Sequence, residues 1–453
     1  MRSIRVAVVG AGPAGIYAAD ILTKEHPGAR VDVIERLPAP YGLVRYGVAP
    51  DHPRIKEIIK ALKRVLSREE IRFIGNVDYG TDLKLSDLRR FYDAVIFATG
   101  AMADRELDIP GIDLAGSHGA ADFVSWYAGH PDVPREWPLD AEEVAVIGAG
   151  NVALDVARML AKPADEQLVT EIAENVHQGL AANRAKTVHV FARRGPAHIK
   201  FSPMELRELS HSPSVDVVVE EEGFQIDDAG QSEIANVKST RLVVDILLKY
   251  LESEPTGAPH KIVIHMMQNP VEVIGEDGSV VAIRTERTEY NGDGSVTGTG
   301  EFIKTPVQAV YRAVGYLSTA LPDVPFDGDR GVIPNAGGRV LDPLEGTDGE
   351  QVPGTYVTGW IKRGPVGLIG HTKSDAKETI DNLLGDLEAG TLPAPEITDD
   401  GAILEHLEAR GVEFTTIEGW EKLDAHEMSL GEPHGRERIK VVPREEMIRV
   451  SRS

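Results

Sequence analysis

Two short glycine-rich segments carry the clearest chemical signal in this sequence. The first, Gly10-Ala-Gly12-Pro-Ala-Gly15, follows an apolar run typical of a buried parallel strand, and a helical pattern begins directly after it. Gly10 suits a tight turn, Gly12 lets a pyrophosphate approach the backbone, and Gly15 lets the helix pack close to the strand. The N-terminus of that helix would then point at bound phosphates, so the segment predicts a dinucleotide-binding turn.

An acidic residue stands where such a turn needs one. The run Val31-Asp-Val-Ile-Glu35 is typical of a second strand, and Glu35 lies twenty residues after Gly15. At that spacing a carboxylate can hold a ribose hydroxyl of the dinucleotide. The first turn therefore predicts a site for a dinucleotide with an unphosphorylated ribose, such as FAD or NAD.

The same pattern returns in the middle of the chain. A second apolar run ends in Gly148-Ala-Gly-Asn-Val-Ala153, in which alanine replaces the third glycine. The next predicted strand ends in Arg193 and Arg194 instead of an acid. Guanidinium groups form charge-assisted, forked bonds with phosphate, so this pair suits the 2′-phosphate of NADP(H). The alternative is that the two arginines only end a solvated strand.

Composition limits the classes of function. A chain of 453 residues predicts two or three domains, and the absence of cysteine excludes disulfides, a redox-active dithiol and an iron–sulfur centre of its own. No apolar run approaches the ~20 residues that a membrane helix needs, and no signal peptide precedes the first strand, so we expect a cytoplasmic protein without membrane insertion. The net charge of −24 argues against nonspecific nucleic-acid binding.

The elements around these motifs predict an α/β protein. The run 92–100 is a further buried strand that ends in glycine, and 307–316 repeats this pattern after the second turn. Between them, 215–305 is predicted to be rich in β-structure, with hairpin-like Asp-Gly turns. The chain therefore divides into two nucleotide-binding halves, and one FAD site with one NADPH site is the simplest interpretation.

Further segments have a composition that is unusual in combination: Tyr41-Gly-Leu-Val-Arg45, Gly47-Val-Ala-Pro-Asp-His52-Pro53, Arg193-Arg-Gly-Pro, Gly359-Trp-Ile-Lys-Arg-Gly-Pro-Val-Gly-Leu-Ile-Gly370 and Gly431-Glu-Pro-His-Gly-Arg436. Together with the two glycine turns, they resemble the adrenodoxin-reductase family, and in particular its bacterial, including mycobacterial, ferredoxin–NADP reductases. The likeness spans essentially the whole chain. It implies two Rossmann-like three-layer domains: an FAD-binding domain, 1–103 and 319–453, and an NADP-binding domain, 104–318, inserted in it.

The resemblance also implies an activity and a set of site residues. NADPH would pass a hydride to N5 of FAD, and single electrons would then leave for a ferredoxin-type iron–sulfur protein. His52 and Glu208 match the family's active-site pair, and no metal site is implied. The implied FAD contacts are Gly10, Gly12, Pro13, Ala14, Gly15, Glu35, Arg36, Leu43, Val77, Ala98, Gly100, Gly359, Trp360, Gly367, Leu368 and Ile369. The implied NADPH contacts are Arg105, Ala149, Gly150, Asn151, Val152, Arg193, Arg194 and Glu205, with the nicotinamide close to Gly367.

Two other functions stay open at this point. One is an NADPH-dependent flavoprotein subunit of a larger assembly, and the other is an NADPH-dependent monooxygenase acting on a small substrate. The absence of cysteine argues against the first, because such subunits carry cysteine clusters for iron–sulfur centres. The dense match at 41–53 and 359–370 argues against the second.

A basic segment predicts a surface for the protein partner. Residues 53–68 have apolar side chains at helical spacing, and the opposite face carries an excess of positive charge. This face is either simply solvated or steers an acidic ferredoxin toward the flavin. Its basic residues are Arg54, Lys56, Lys60, Lys63, Arg64 and Arg68, against the single acid Glu57.

Overall fold

The structure is a computed structural model that describes residues 3–343, 349–366 and 369–453. Its strands are, in chain order, β1 (Ile4–Val9), β2 (Ala29–Glu35), β3 (Ile71–Gly75), β4 (Ala94–Phe97), β5 (Ala103–Asp104), β6 (Ser117–Gly119), β7 (Glu143–Ile147), β8 (Thr187–Ala192), β9 (Val215–Val219), β10 (His260–Met266), β11 (Gln268–Glu276), β12 (Ser279–Tyr290), β13 (Val296–Pro306), β14 (Ala309–Arg312), β15 (Tyr316–Leu317), β16 (Asn335–Ala336), β17 (Arg339–Asp342) and β18 (Glu350–Val357).

The helices alternate with these strands over most of the chain. They are α1 (Pro13–Glu25), α2 (Leu43–Tyr46), α3 (Pro53–Lys56), α4 (Ile58–Leu66), α5 (Leu85–Phe91), α6 (Ala120–Tyr127), α7 (Asn151–Ala161), α8 (Glu174–Ala181), α9 (Pro203–Glu208), α10 (Asp228–Asn236), α11 (Lys238–Glu252), α12 (Trp360–Arg363), α13 (Ile369–Ala389), α14 (Ala402–Ala409), α15 (Ile417–Gly431) and α16 (Arg444–Ser451). Among the described residues, no helix is both long and apolar enough to cross a membrane.

The chain divides into two compact units. Unit 1 comprises Met1–Ala103, Ala128–Asp132 and Tyr316–Ser453. Unit 2 comprises Asp104–Tyr127 and Val133–Gly315. Each unit contains one of the two glycine turns.

Unit 1 is built on a mixed sheet in the order β16-β17-β18-β4-β1-β2-β3. The pairs from β18 to β3 are parallel, whereas β16, β17 and β18 pair antiparallel at one edge. Alternate residues of β1 enter two different apolar clusters, since Val6 and Val8 lie in one and Ala7 and Val9 in the other. The sheet is therefore buried on both faces, as its continuous apolar strand predicts.

Unit 2 contains a parallel sheet in the order β6-β14-β7-β8-β10-β9. A separate antiparallel sheet, β11-β12-β13, follows in the chain and shares an apolar cluster with it, in which Ile147 and Phe191 meet Val273 and Ile283. The strand before each glycine turn, β1 in unit 1 and β7 in unit 2, thus lies inside its sheet and pairs parallel with both neighbours. The predicted α/β class with two Rossmann-like domains is confirmed.

The region between 215 and 305 is not uniformly rich in β-structure, so that prediction is partly wrong. Two helices, α10 and α11, occupy 228–252. The Thr, Val, Ile and Tyr residues of α11 favour a strand by composition. Its buried positions Val243, Leu247 and Tyr250 nevertheless follow a helical repeat, and that periodicity was the better signal.

Candidate functional site

The first glycine turn joins β1 to α1 and has no room for side chains at two positions. A Cβ on Gly10, whose φ is +112°, would lie 2.5 Å from the Ala98 carbonyl oxygen. A Cβ on Gly15 would lie 2.0 Å from the Gly10 carbonyl oxygen and 2.9 Å from Val8 Cγ1. Pro13 opens α1, where a missing N–H costs nothing. The turn therefore lies tightly against the end of β4, and the predicted residues Gly10 and Ala98 meet.

Glu35 is bonded directly to this turn. Its Oε2 accepts a hydrogen bond from the Ala11 N–H at 2.8 Å, and its Oε1 accepts one from the Leu37 N–H at 3.1 Å. Burial raises the pKa of Glu35, against the opposing effect of these backbone N–H groups. A carboxylate offers about four acceptor positions, so two stay open to the hydroxyls of a ribose. The geometry fits the predicted dinucleotide.

Several other predicted FAD residues surround the same turn. The Val77 N–H donates to the Glu35 carbonyl oxygen at 2.9 Å, and the Tyr41 N–H, just before Leu43, donates to the Ala11 carbonyl oxygen at 2.8 Å. A Cβ on Gly359 would lie 2.7 Å from the Ala14 Cβ. The structure thus brings the turn, the second strand end and the segments at 41, 77 and 359 together.

For the remaining predicted FAD residues, the described part of the structure contains no hydrogen bond with the first glycine turn. The Arg36 guanidinium forms an ion pair with Asp132, which also binds Arg444. Trp360 is the first residue of α12, and Gly100, with a φ of +76°, has open space around its Cα. Gly367 and Leu368 lie outside the described residues, and Ile369 is described only as the first residue of α13.

The second glycine turn joins β7 to α7 and is open toward its helix. A Cβ on Gly148 would lie 2.3 Å from the Ala313 carbonyl oxygen, so this position also requires glycine. A Cβ on Gly150 would meet no atom within 4 Å. The N-terminus of α7, which begins at Asn151 and continues through Val152, is therefore accessible to a phosphate. The third position holds Ala153, whose side chain is fully buried.

The segment that carries the two arginines returns to the second turn. The Lys200 N–H donates to the Ala149 carbonyl oxygen at 2.9 Å, and the Asn151 Oδ1 accepts from the Ser202 N–H at 2.7 Å. Arg193 is exposed and Arg194 is half-buried. The two halves of the predicted NADPH site are therefore joined by one backbone hydrogen bond and one bond to the Asn151 side chain.

Three further predicted residues lie in the same unit. The Arg105 N–H donates to the Gly315 carbonyl oxygen at 2.9 Å, and the Arg105 side chain is exposed. Glu205 and Glu208 both lie in α9, as predicted. Glu205 is buried, and its Oε2 lies 4.0 Å from Arg158 Nη1.

His52 stands at the start of α3 in unit 1 and is 3% exposed. Its N–H donates to the Ala49 carbonyl oxygen at 3.1 Å. Its predicted partner, Glu208, is half-buried and belongs to unit 2. The catalytic roles of these two residues stay predictions.

The basic segment differs from the expected single helix. It is divided at Glu57 into α3 and α4. Lys56 is buried, and Lys63 and Arg68 are paired with acids that lie far away in the sequence: Lys63 Nζ lies 3.4 Å from Asp424 Oδ2, and Arg68 Nη1 lies 3.0 Å from Asp20 Oδ1. The exposed basic residues are Arg54, Lys60 and Arg64.

Some residues that hold the site carry no sequence signal. The Asp375 Oδ2 accepts from the Gly359 N–H at 2.6 Å and from the Thr358 hydroxyl at 3.1 Å. Thr288 and Tyr290 bond to the backbone of the arginine segment. The contacts of Thr288 and Tyr290 join residues 95 positions apart in the chain, so no local pattern points to them, and Asp375 belongs to no motif identified in the sequence.

Comparisons with known proteins agree with this geometry. Residues 4–236 match the family described as pyridine nucleotide-disulphide oxidoreductase. The chain is 40% identical over 466 residues to the NADPH-ferredoxin reductase FprA of Mycobacterium tuberculosis, covering 99% of each chain. It is 37% identical over 460 residues to the mitochondrial NADPH:adrenodoxin oxidoreductase of Arabidopsis thaliana, covering 99% of this chain and 95% of that one. A solved structure of the M. tuberculosis FprA in complex with NADPH superimposes with a TM-score of 0.89 at 38% identity, covering 100% of both chains.

Proposed function

Because this chain belongs to the family of NADPH:adrenodoxin oxidoreductases and NADPH-ferredoxin reductases, we propose that it passes electrons from NADPH to an iron–sulfur protein. The acceptor is a ferredoxin-type carrier, and the cofactor between the two is FAD. The observation that carries the proposal is the pair of glycine turns in one chain: one is bonded to the acid Glu35, and the other is joined to the segment with Arg193 and Arg194.

The two cofactors are assigned to the two units. Residues 1–103 and 319–453 hold FAD, and 104–318 hold NADPH. The division of the chain into two compact units supports this assignment, with chain crossings at Ala103/Asp104 and Gly315/Tyr316 and with Ala128–Asp132 added to the first unit. The acid in the first unit agrees with an unphosphorylated ribose, and the two arginines in the second agree with a 2′-phosphate.

The chain's own residues bind and orient the reactants. When bound, FAD supplies the conversion between the two electrons of a hydride and the single electrons that an iron–sulfur protein accepts. The glycine turns direct the N-termini of α1 and α7 at the two pyrophosphates, and Glu35 holds a ribose. We assign His52 and Glu208 to the orientation of the nicotinamide or the movement of a proton beside it. A cysteine-free chain has no dithiol to accept the electrons, so they leave directly for the partner.

The proposal is tested with purified protein loaded with FAD. We expect NADPH to reduce ferricyanide directly, whereas the reduction of cytochrome c should require added ferredoxin. Ferredoxin-independent oxygenation of a small substrate would favour the monooxygenase alternative. We further propose that the enzyme acts in the cytoplasm, where NADPH is available to a soluble protein of net charge −24. Cell fractionation tests that location.

The exposed basic residues of α3 and α4 are the proposed docking surface for ferredoxin. Lys60 and Arg64 lie four residues apart and therefore share one face of the helix. Electrostatic steering acts mainly on the association rate and is weakened by salt. Lys63 contributes less, because its ammonium group is already paired with acids of α15.

Charge reversal tests this surface. We expect Lys60→Glu with Arg64→Glu to raise KM for ferredoxin and to flatten its salt dependence, while ferricyanide reduction stays the same. The matched control reverses two exposed lysines elsewhere, Lys84→Glu with Lys238→Glu. An equal effect of both pairs would mean that only net charge matters and that α4 is not the dock.

A further inference from the structure

The segment 193–198 follows β8 and carries the two arginines that are assigned to the 2′-phosphate; we call it the phosphate loop. Within the described residues, neither the Arg193 nor the Arg194 guanidinium takes part in a hydrogen bond or an ion pair. Both positive charges are therefore available to a ligand. Their direction depends on the backbone that carries them.

Two side chains of β12 hold that backbone. The Thr288 hydroxyl donates a hydrogen bond to the Arg193 carbonyl oxygen at 2.8 Å. The Tyr290 Oη accepts one from the Gly195 N–H, also at 2.8 Å. Residues two apart in a strand point to the same face, so both side chains reach the loop from one side. Their bonds lie immediately before and immediately after the backbone of Arg194.

The strand that supplies these two side chains is itself fixed. Thr288 is 6% exposed, and its N–H donates to the Met267 carbonyl oxygen at 3.0 Å. The loop approaches Tyr290 closely, because a Cβ on Gly195 would lie 2.8 Å from the Tyr290 Oη and 2.4 Å from the Gln225 carbonyl oxygen. The phosphate loop therefore rests against a packed surface.

The end of the loop is tied to the same antiparallel sheet through Asp227. Its Oδ1 lies 2.8 Å from His198 Nε2, and its Oδ2 accepts from the Gly294 N–H at 2.9 Å. Gly294 lies in the hairpin between β12 and β13. The sheet of β11, β12 and β13 thus bonds directly to the phosphate loop at Arg193 and Gly195, and Asp227 connects its hairpin to His198.

We propose that Thr288 and Tyr290 are positioning residues that determine the preference for NADPH over NADH by holding the phosphate loop. This inference rests on the proposed function. Forked guanidinium–phosphate bonds are directional, and a loop fixed before binding loses less conformational entropy when the phosphate arrives. Both groups are neutral, and their hydrogen bonds to the phosphate loop are to its backbone, so they fix the arginines without cancelling their charge.

The test measures binding of adenosine 2′,5′-bisphosphate and of 5′-AMP by isothermal titration calorimetry on the FAD-loaded enzyme. We expect Thr288→Val and Tyr290→Phe each to raise the Kd for the bisphosphate about 5- to 10-fold. The Kd for 5′-AMP should stay within about twofold of the wild-type value. KM for NADPH should rise by the same factor at constant kcat, while KM for NADH stays the same.

A matched control separates positioning from general loss of stability. The Tyr311 Oη accepts a hydrogen bond from the Trp137 Nε1 at 2.9 Å, in the same unit but without contact to the loop. Tyr311→Phe therefore leaves the indole N–H of the half-buried Trp137 without its acceptor, as Tyr290→Phe does for the backbone N–H of Gly195, and we expect it to change neither nucleotide affinity.

Repeating the Tyr290→Phe measurement in the double variant Arg193→Ala with Arg194→Ala shows whether Tyr290 acts through the arginines, and the double variant alone shows whether the arginines bind the phosphate. In that background Tyr290→Phe should have no further effect on bisphosphate binding, because its effect passes through the arginines. Equal losses for both nucleotides, or a loss that persists in that background, would show a merely structural role and overturn the inference. If the arginine pair itself does not affect bisphosphate binding, the proposed phosphate site is wrong, and the inference fails with it.

Discussion

The two glycine turns share one backbone design but are held in place by different chemistry. In unit 1 the charged residue at the end of the next strand, Glu35, bonds directly to the turn through the Ala11 N–H. In unit 2 Arg193 and Arg194 make no such bond within the described part of the chain. Their backbone is held by neutral side chains of β12 instead.

The difference follows from what each charged group can accept or donate. A carboxylate has about four acceptor positions, so Glu35 can bind the turn and a ribose hydroxyl at the same time. A guanidinium that paired with a protein acid would lose part of its attraction for phosphate. In the first unit, one charged side chain can therefore both hold the turn in place and bind the nucleotide. In the second unit, neutral side chains hold the backbone and the arginines bind the nucleotide.

The third position of each turn gives the largest expected contrast. A Cβ on Gly15 would lie 2.0 Å from the Gly10 carbonyl oxygen, so Gly15→Ala must displace the turn or α1. We expect Gly15→Ala to cost more than about 3 kcal/mol of stability and to release FAD. The reverse change in the second turn, Ala153→Gly, should cost only about 0.5–1 kcal/mol through helix propensity.

Bound-flavin absorbance and the thermal unfolding midpoint measure both effects. Retention of FAD by the Gly15→Ala variant at the wild-type midpoint would mean that the first turn is less constrained than its geometry indicates.

Removing the charged groups of one turn at a time should affect the binding of one cofactor and not of the other. Losing two charge-assisted phosphate contacts in Arg193→Ala with Arg194→Ala should cost about 2–4 kcal/mol, which is roughly 30- to 1000-fold in kcat/KM for NADPH. Flavin content and kcat/KM for NADH should stay unchanged. Glu35→Gln, in contrast, should weaken FAD binding and lower the flavin content, without changing the preference for NADPH over NADH. A changed preference between NADPH and NADH in Glu35→Gln would contradict the assignment of Glu35 to FAD and of the two arginines to NADPH.

The predicted catalytic residues, His52 and Glu208, give the next largest expected effect. If His52 and Glu208 orient the nicotinamide or move a proton, His52→Ala and Glu208→Ala should each slow flavin reduction about 10- to 100-fold with FAD still bound. Stopped-flow absorbance after mixing with NADPH measures this step. Exposed residues of the same type, in His434→Ala and Glu221→Ala, serve as controls. Wild-type rates in the His52 and Glu208 variants would make both residues bystanders.

The two turns also show which features of the site can be predicted from the sequence and which cannot. Both turns and Glu35 follow local spacing, because strand, glycines, helix and acid lie within about 30 residues of one another. Thr288 contacts Arg193, and Tyr290 contacts Gly195, each across 95 residues of chain. No local pattern marks such residues. The paired state of Lys63 is hidden for the same reason, since its acids come from α15.

Unit 2 has its own carboxylate bonded to backbone, but it lies away from the glycine turn. Both oxygens of Asp104 lie within hydrogen-bond distance of the Ala121 N–H near the start of α6, at 3.0 and 3.1 Å. The contact is close, since a Cβ on Gly119 would lie 1.9 Å from Asp104 Oδ2. Burial raises the pKa of Asp104 to about 6, and the charge of Asp122 adds to this effect. Like Glu35, Asp104 is therefore a desolvated carboxylate, but one for which we infer no ligand.

This carboxylate gives the smallest expected effect, a pH dependence of stability. Because its pKa is higher in the folded than in the unfolded protein, the folded state binds more protons between about pH 4 and 6, and the free energy of unfolding falls as pH rises through that window. Asp104→Asn keeps an acceptor for the Ala121 N–H but does not titrate. Its stability relative to wild type should therefore rise by about 1–2 kcal/mol from pH 4 to pH 7, a value discounted for the partial exposure of the group. Unfolding midpoints of the FAD-loaded proteins across this range measure the difference. Asp122→Asn should give a weaker change in the same direction, and parallel pH profiles for Asp104→Asn and wild type would mean that Asp104 titrates like a solvated acid.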